Sequence, residues 1–245
     1  MSCRVEVCID SLYGAKVAKE GGAARVELCS ALEIGGVTPS IALVKAVREV
    51  EGIELFVLIR PRGGDFLYDE GEIQTMLRDI EEVKMCGVDG VVIGALTPEG
   101  DVDTSLCRDL IAAAGGMRVT FHRAFDMCRD RYSALRDIIG LGCERILTSG
   151  GAQTAMEGAL ELAELVRRAD GAISIMAGSG VNSQNAAMIC SLTGVTELHA
   201  SARRPLYSAM QYRHSGVMMG SESKDEYLVK RTSLEEVRAI VESVR

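Results

Sequence analysis

Two short phrases carry side chains that do chemistry in combination. TFHRAFD places His122 beside Arg123 and Asp126 four residues after the histidine, and a carboxylate near an imidazole can select its tautomer and raise its basicity for proton transfer. IRPRGGDF supplies Arg60 and Arg62, then Gly63, Gly64 and Asp65. Guanidinium forks bind carboxylate or phosphate in bidentate fashion, and paired glycines let backbone amides approach an anion. Plainer roles exist for each: Asp126 as a helix cap, and the arginine loop held rigid by Asp65 or Asp69.

A third phrase, AGSGVN, contains Gly178, Ser179 and Gly180, the kind of turn that holds phosphate with loop amides and a helix N-terminus. HASA, ending near Ser201, lies at the neighbouring position in the expected order of strands. Soft ligands are also present. Cys8, Cys29, His122 and His199 form a set suited to Cu(I), although buried cysteines are commonly core residues.

These groups meet only if the chain brings distant segments together. Short β-rich runs alternate with longer helical patterns from end to end, as in repeated parallel βα units. Strands are expected near 4–9, 25–28, 55–59, 90–93, 119–122, 145–148, 173–176 and 197–199. Eight such units in 245 residues predict an α/β fold, a TIM (β/α)8 barrel forming a single domain over 1–245. GGAARVEL, CGVDGVVIG, LGCERILTSG and TGVTELHAS repeat one strand-entry phrase. A long Met- and Ser-rich loop is expected at about 202–230 before a C-terminal helix capped by Thr232-Ser233. Tyr207, Met210, Met218 and Met219 are expected to pack that loop or a subunit contact.

Side chains alternate across a strand, so one inward residue sets the rest. Val5, Val7 and Ile9 suit the layer under the helices, which turns Glu6, Cys8 and Asp10 inward. The same reasoning turns in Glu27, Cys29, Arg60, Thr120, His122, Thr148, Ser174, Met176, Glu197 and His199. A lumen this polar needs either a buried ion network or a site, and sites of this fold lie at the carboxyl ends of the strands. The candidate acid/base set is Glu27, Arg60, His122, Asp126 and His199. The candidate anion-holding set is Arg60, Arg62, Arg123, Gly178, Ser179, Gly180 and Ser201.

Bulk properties narrow the classes of function. A net charge of −8 gives nucleic acid no overall electrostatic reason to approach, and no apolar run approaches the roughly 20 residues of a membrane span. Arg4 and Glu6 interrupt any signal-peptide core, so the expected location is cytoplasmic. Eight cysteines without a CxxC are expected to be mostly reduced thiols, not a disulfide framework. No organic cofactor is indicated.

EVCIDS, GGAARVELCSAL, GGVTPS, VLIRPRGGDFLY, VTFHRAFDM, RILTSGG and ELHASAR together resemble the CutC family, the so-called copper homeostasis proteins. The resemblance runs from the first expected strand into the final loop. It implies a cytoplasmic TIM barrel associated by name with copper tolerance and assembled as a homo-oligomer, a dimer or tetramer. It carries over to Glu27, Cys29, Arg60, Arg62, His122, Arg123, Asp126 and His199. Two departures are GSG in place of a GGG-like turn at 178–180, and Ala200 where a cysteine can occur. Two functions follow: a copper homeostasis protein binding Cu(I) at the barrel mouth, or an enzyme using acid/base chemistry on a small anionic or phosphorylated metabolite. Charged lumenal residues favour the second, and the family name favours the first.

Overall fold

A computed structural model describes residues 3–214, 216–217 and 225–245. Parallel strands β1 (Arg4–Ile9), β2 (Arg25–Leu28), β3 (Glu54–Leu58), β4 (Gly90–Ile93), β5 (Arg118–Phe121), β6 (Arg145–Thr148), β7 (Ser174–Ala177) and β8 (Glu197–Ala200) close into a barrel in sequence order, with β8 pairing β1. Around it lie α1 (Leu12–Glu20), α2 (Ile41–Arg48), α3 (Glu70–Met85), α4 (Thr104–Ala114), α5 (Arg131–Leu141), α6 (Ala159–Ala169), α7 (Ala186–Thr193) and α8 (Leu234–Ser243). This is the predicted (β/α)8 barrel. Among the described residues no helix is long and apolar enough to cross a membrane.

Local chemistry explains the boundaries. The Asp69 side chain accepts from the Glu72 amide while the Glu72 side chain accepts from the Asp69 amide, a capping box that starts α3. Asp103, Ser233 and Ser40 cap α4, α8 and α2 with side chains that accept from the Leu106, Glu236 and Leu43 amides. Gly142 and Gly194, at φ +80° and +74°, end α5 and α7 in the left-handed conformation that costs glycine nothing, returning the chain to β6 and β8.

The main apolar core is the layer between barrel and helices. There Val7, Ile9, Val26, Leu28, Val57 and Val91 from the strands meet Val44, Met76, Ile80 and Leu110 from the helices. Inside the barrel a separate, smaller cluster contains Cys8, Cys29, Phe56, Leu58 and Val92. The alternation derived from β1 holds through most of the ring, with one correction. Leu147, not Thr148, faces the lumenal cavity, and Thr148 Oγ1 instead bonds Asp126. Ile146 and Leu147 are adjacent apolar residues, so the period-2 pattern in β6 has no unique phase.

The segment expected as a long loop is partly ordered. β9 (Arg203–Tyr207) and β10 (Leu228–Thr232) pair antiparallel outside the barrel. Tyr207 and Met210 on it are exposed, and Met218 and Met219 lie outside the described residues. Six cysteines are free, while the sulfurs of Cys3 and Cys190 are joined in a pairing their spacing did not indicate.

Candidate functional site

The lower lumen is an ion network. Register places Glu6 beside Arg25 on β2 and His199 on β8, and Arg145 beside Ser174 on β7. Arg25, fully buried, bonds both Glu6 and Glu197, and Arg145 lies 3.3 Å from Glu197. Arg25, Arg118 and Arg145 stand 5.1, 5.0 and 5.0 Å from the Phe56 ring centroid, a contact that offsets part of their desolvation. Burial alone would raise the Glu6 carboxyl, but Arg25 and His199 outweigh it and hold it at about 2. Residues 25 and 145 escaped the sequence reading. Arg25 does share the parity of Glu27, which is the signal that was available.

Above this layer the β8–β1–β2 arc brings His199, Cys8, Glu27 and Cys29 together. One polar atom from each of Cys8, Glu27 and His199 lies within 4.8 Å of the others. The Cys29 thiol donates to Glu27 O at 3.9 Å and lines the same cavity as Cys8. His199 Nδ1 is 2.8 Å from Glu6 Oε1, and its Nε2 is 3.5 Å from Glu27 Oε2. Glu6 therefore accepts a hydrogen bond from Nδ1–H and leaves Nε2 directed at Glu27 and the thiol cluster, the arrangement that orients ligating histidines.

Electrostatics separates these neighbours. The Cys29 hydrogen bond, opposed by burial and helped by His199, brings the Cys8 thiol down to about 6, whereas Cys29 is pushed well up by Cys8 and by burial. Burial lowers His199 on its own, but Cys8, Glu6 and Glu27 outweigh it and keep the imidazole protonated well above its usual range. Burial raises Glu27 to about 8 despite His199.

That last shift carries a stability cost. The Glu27 carboxyl is protonated when folded and ionised when unfolded between about pH 4.5 and 8, so it reduces stability progressively as pH rises through that window. Glu27→Gln keeps the shape without the titration. It is expected to stabilise the protein at pH 8 by roughly 1–3 kcal/mol and hardly at all at pH 4.5. Urea unfolding at the two pH values checks this, and equal effects at both would refute it.

Opposite the thiols, the β3–β5 arc contributes Arg60 and His122. Arg60 donates from Nη1 to Ile34 O (3.2 Å) and Gly36 O (2.9 Å), and from Nη2 to Gly64 O (2.6 Å). Its guanidinium lies 4.8 Å from the Phe66 ring centroid, and Phe66 packs 4.9 Å from the His122 ring. Gly94, just past the end of β4, makes room: a Cβ there would come within 2.5 Å of the imidazole. Burial and the Arg60 charge bring His122 down to about 3. A cavity of about 110 Å³ separates the two arcs, lined also by Leu58, Phe66, Arg123 and Leu147.

The other expected residues do not converge there as imagined. Asp126 does not orient His122. It bonds Arg123 (2.7 Å), the Thr148 hydroxyl and the amides of Ser149 and Gly151, because a 3-10 turn over Arg123–Met127 carries it toward the end of β6. Arg62 is tied to Glu72 (2.6 Å) and Asp65 (3.0 Å) outside the cavity. In AGSGVN the Ser179 hydroxyl is committed to Gln153 O, and Gly178 packs against Leu147 and His199; neither Ser179 nor Gly180 lines the cavity. Ser201 is exposed and also absent from its lining. Arg123 alone of the expected anion-holding set joins Arg60 at the cavity, braced by Asp126 and Ser149.

A model of the CutC family matches residues 3–204. The chain belongs to the CutC family. A CutC protein of Pasteurella multocida is 47% identical over 241 residues, covering 98% of each chain. The human copper homeostasis protein cutC homolog is 46% identical over 237 residues, covering 96% of this chain and 87% of the human one. Among solved structures, a putative copper homeostasis protein CutC from Streptococcus agalactiae superposes with a TM-score of 0.79 at 33% identity, covering 81% of this chain and 98% of that one. Thiamine phosphate pyrophosphorylase from Pyrococcus furiosus, at 14% identity and a TM-score of 0.60, shares the fold with this CutC chain.

Proposed function

We propose that this CutC chain binds Cu(I) as cargo through Cys8, Cys29 and Nε2 of His199. The observation that carries this reading is the convergence of Cys8, Glu27 and His199 within 4.8 Å, with the free Cys29 thiol lining the same small cavity and Glu6 fixing the imidazole from behind. Thiolates are the soft ligands Cu(I) prefers, and a low-coordinate ion needs no more than two or three of them. The small volume and the buried position of both sulfurs favour an ion over a metabolite of ordinary size. Six free thiols, Cys8 and Cys29 among them, fit a cytoplasmic location, although Cys3 and Cys190 are joined.

Ligands must be deprotonated to bind. Cys8 is largely a thiolate at pH 7, while Cys29 and His199 each hold a proton that the ion displaces. Titration of the reduced protein with Cu(I) against a chromogenic competitor should give one ion per chain. Affinity should rise on the order of a hundredfold per pH unit near pH 7, because two protons leave. Sub-stoichiometric binding, affinity independent of pH, or displacement of Cu(I) by equimolar Zn(II) would refute the proposal.

A further inference from the structure

The wall facing the thiols holds a cation without a counterion. Arg60 is 6% exposed, yet its hydrogen bonds go to backbone carbonyls, and among the described residues no carboxylate pairs with it. Of the five N–H groups of a guanidinium, three are committed, and Nε is buried without a partner. His122, 5% exposed, repeats the pattern: Nδ1 accepts from the Ala124 amide at 3.1 Å, which puts the proton on Nε2, and Nε2 is also buried without a partner. A buried unpaired charge or donor costs free energy that native proteins rarely leave uncompensated.

We propose that the cavity between the two arcs holds a small monocarboxylate, its oxygens received by Arg60 and by Nε2–H of His122, its short alkyl end against Leu58, Leu147 and Phe66. This goes beyond the copper reading and stands without it. One anionic charge matches the unneutralised Arg60 guanidinium at this cavity, whereas a phosphate dianion would bring a second charge with no partner there. Size sets the upper bound. A cavity of about 110 Å³, well under the roughly 300 Å³ of an ordinary small-molecule pocket, suits a ligand of only a few heavy atoms. Planar, doubly accepting oxygens suit the donors that remain. Glu27 lies on the arc opposite Arg60 and is turned to its neighbour His199, 3.5 Å away.

Metal-free, reduced protein labelled with 15N-histidine gives a direct readout, because the chain has only three histidines to assign. Formate, acetate, propionate and inorganic phosphate are titrated in turn while the His122 Nε2–H resonance is followed. Acetate or propionate should move it along a saturable curve, and Arg60→Met should weaken binding at least tenfold, about 1.4 kcal/mol. His122→Phe, read by calorimetry, gives a second test should the arginine variant fail to fold. No response up to about 100 mM of any carboxylate, a Kd too weak for such a donor set, would mean that water fills the space and would overturn the proposal. Equal or stronger binding of phosphate overturns the monocarboxylate assignment. Undiminished acetate affinity in both variants places the ion elsewhere and also overturns it. Loss of Cu(I) binding in Cys8→Ser with acetate binding retained would show the two sites failing separately.

Discussion

Cys8→Ser is expected to lower Cu(I) affinity at least a thousandfold, about 4 kcal/mol, while the protein stays folded. Cys8 is the sulfur that Cys29 and His199 both address, and it is the thiol of the group that lies lowest. A hydroxyl in its place is a hard, protonated group that a soft ion does not hold. Cys29→Ser should cost a comparable amount, because a single thiolate with imidazole is left. Cys107→Ser serves as the control. That thiol is equally buried, but it sits in the layer between barrel and helices, and burial has pushed it up to about 12. Its loss should leave the affinity unchanged. Competition titrations on the three variants check the pattern, and a uniform loss or no loss in Cys8→Ser would contradict it.

Arg25→Met is expected to destabilise the fold by about 3–5 kcal/mol, much of the total stability of an ordinary domain. Methionine approximates the volume but leaves Glu6 and Glu197 as buried acids without the guanidinium that bridges them. The cost arises from those stranded charges more than from the worth of the original pairs. Replacing the acids as well, in Glu6→Gln with Glu197→Gln and Arg25→Met, should therefore recover part of the loss. The acid limb of stability should change in parallel. Glu6 is held at about 2, so its contribution is complete above about pH 4.5 and is lost as pH falls toward 2. In Arg25→Met that limb should begin at higher pH. Urea unfolding as a function of pH measures both effects, and a loss under about 1 kcal/mol at pH 7 would contradict the network's assigned role.

The strands were legible because parallel strands of a closed barrel are short apolar runs entered through glycine, and each expected strand falls within a residue or so of its observed limits. Lumenal parity followed from Val5, Val7 and Ile9 and placed Cys8, Glu27, His122 and His199 correctly inside. It failed at β6, where Ile146 and Leu147 are both apolar. What could not be read was partnership between separate strands. Arg25 at the start of β2 reads as a solvent-facing entry residue until Glu6 and Glu197, 19 and 172 residues away in the chain, close around it. Asp126 has the right spacing to serve His122, but the 3-10 turn between them rotates it toward Thr148 and Ser149. Arg60 was placed correctly, yet its carbonyl partners come from loops whose course has no sequence signal.

Copper K-edge absorption on the reduced, Cu(I)-loaded protein asks most directly which atoms hold the ion. Two sulfur scatterers and one imidazole nitrogen are expected at pH 7, falling to one sulfur in any residual complex of Cys8→Ser. A spectrum fitted by nitrogen and oxygen alone, or one whose sulfur shell is unchanged in Cys8→Ser, would contradict the assignment of the lumenal thiols as the copper site.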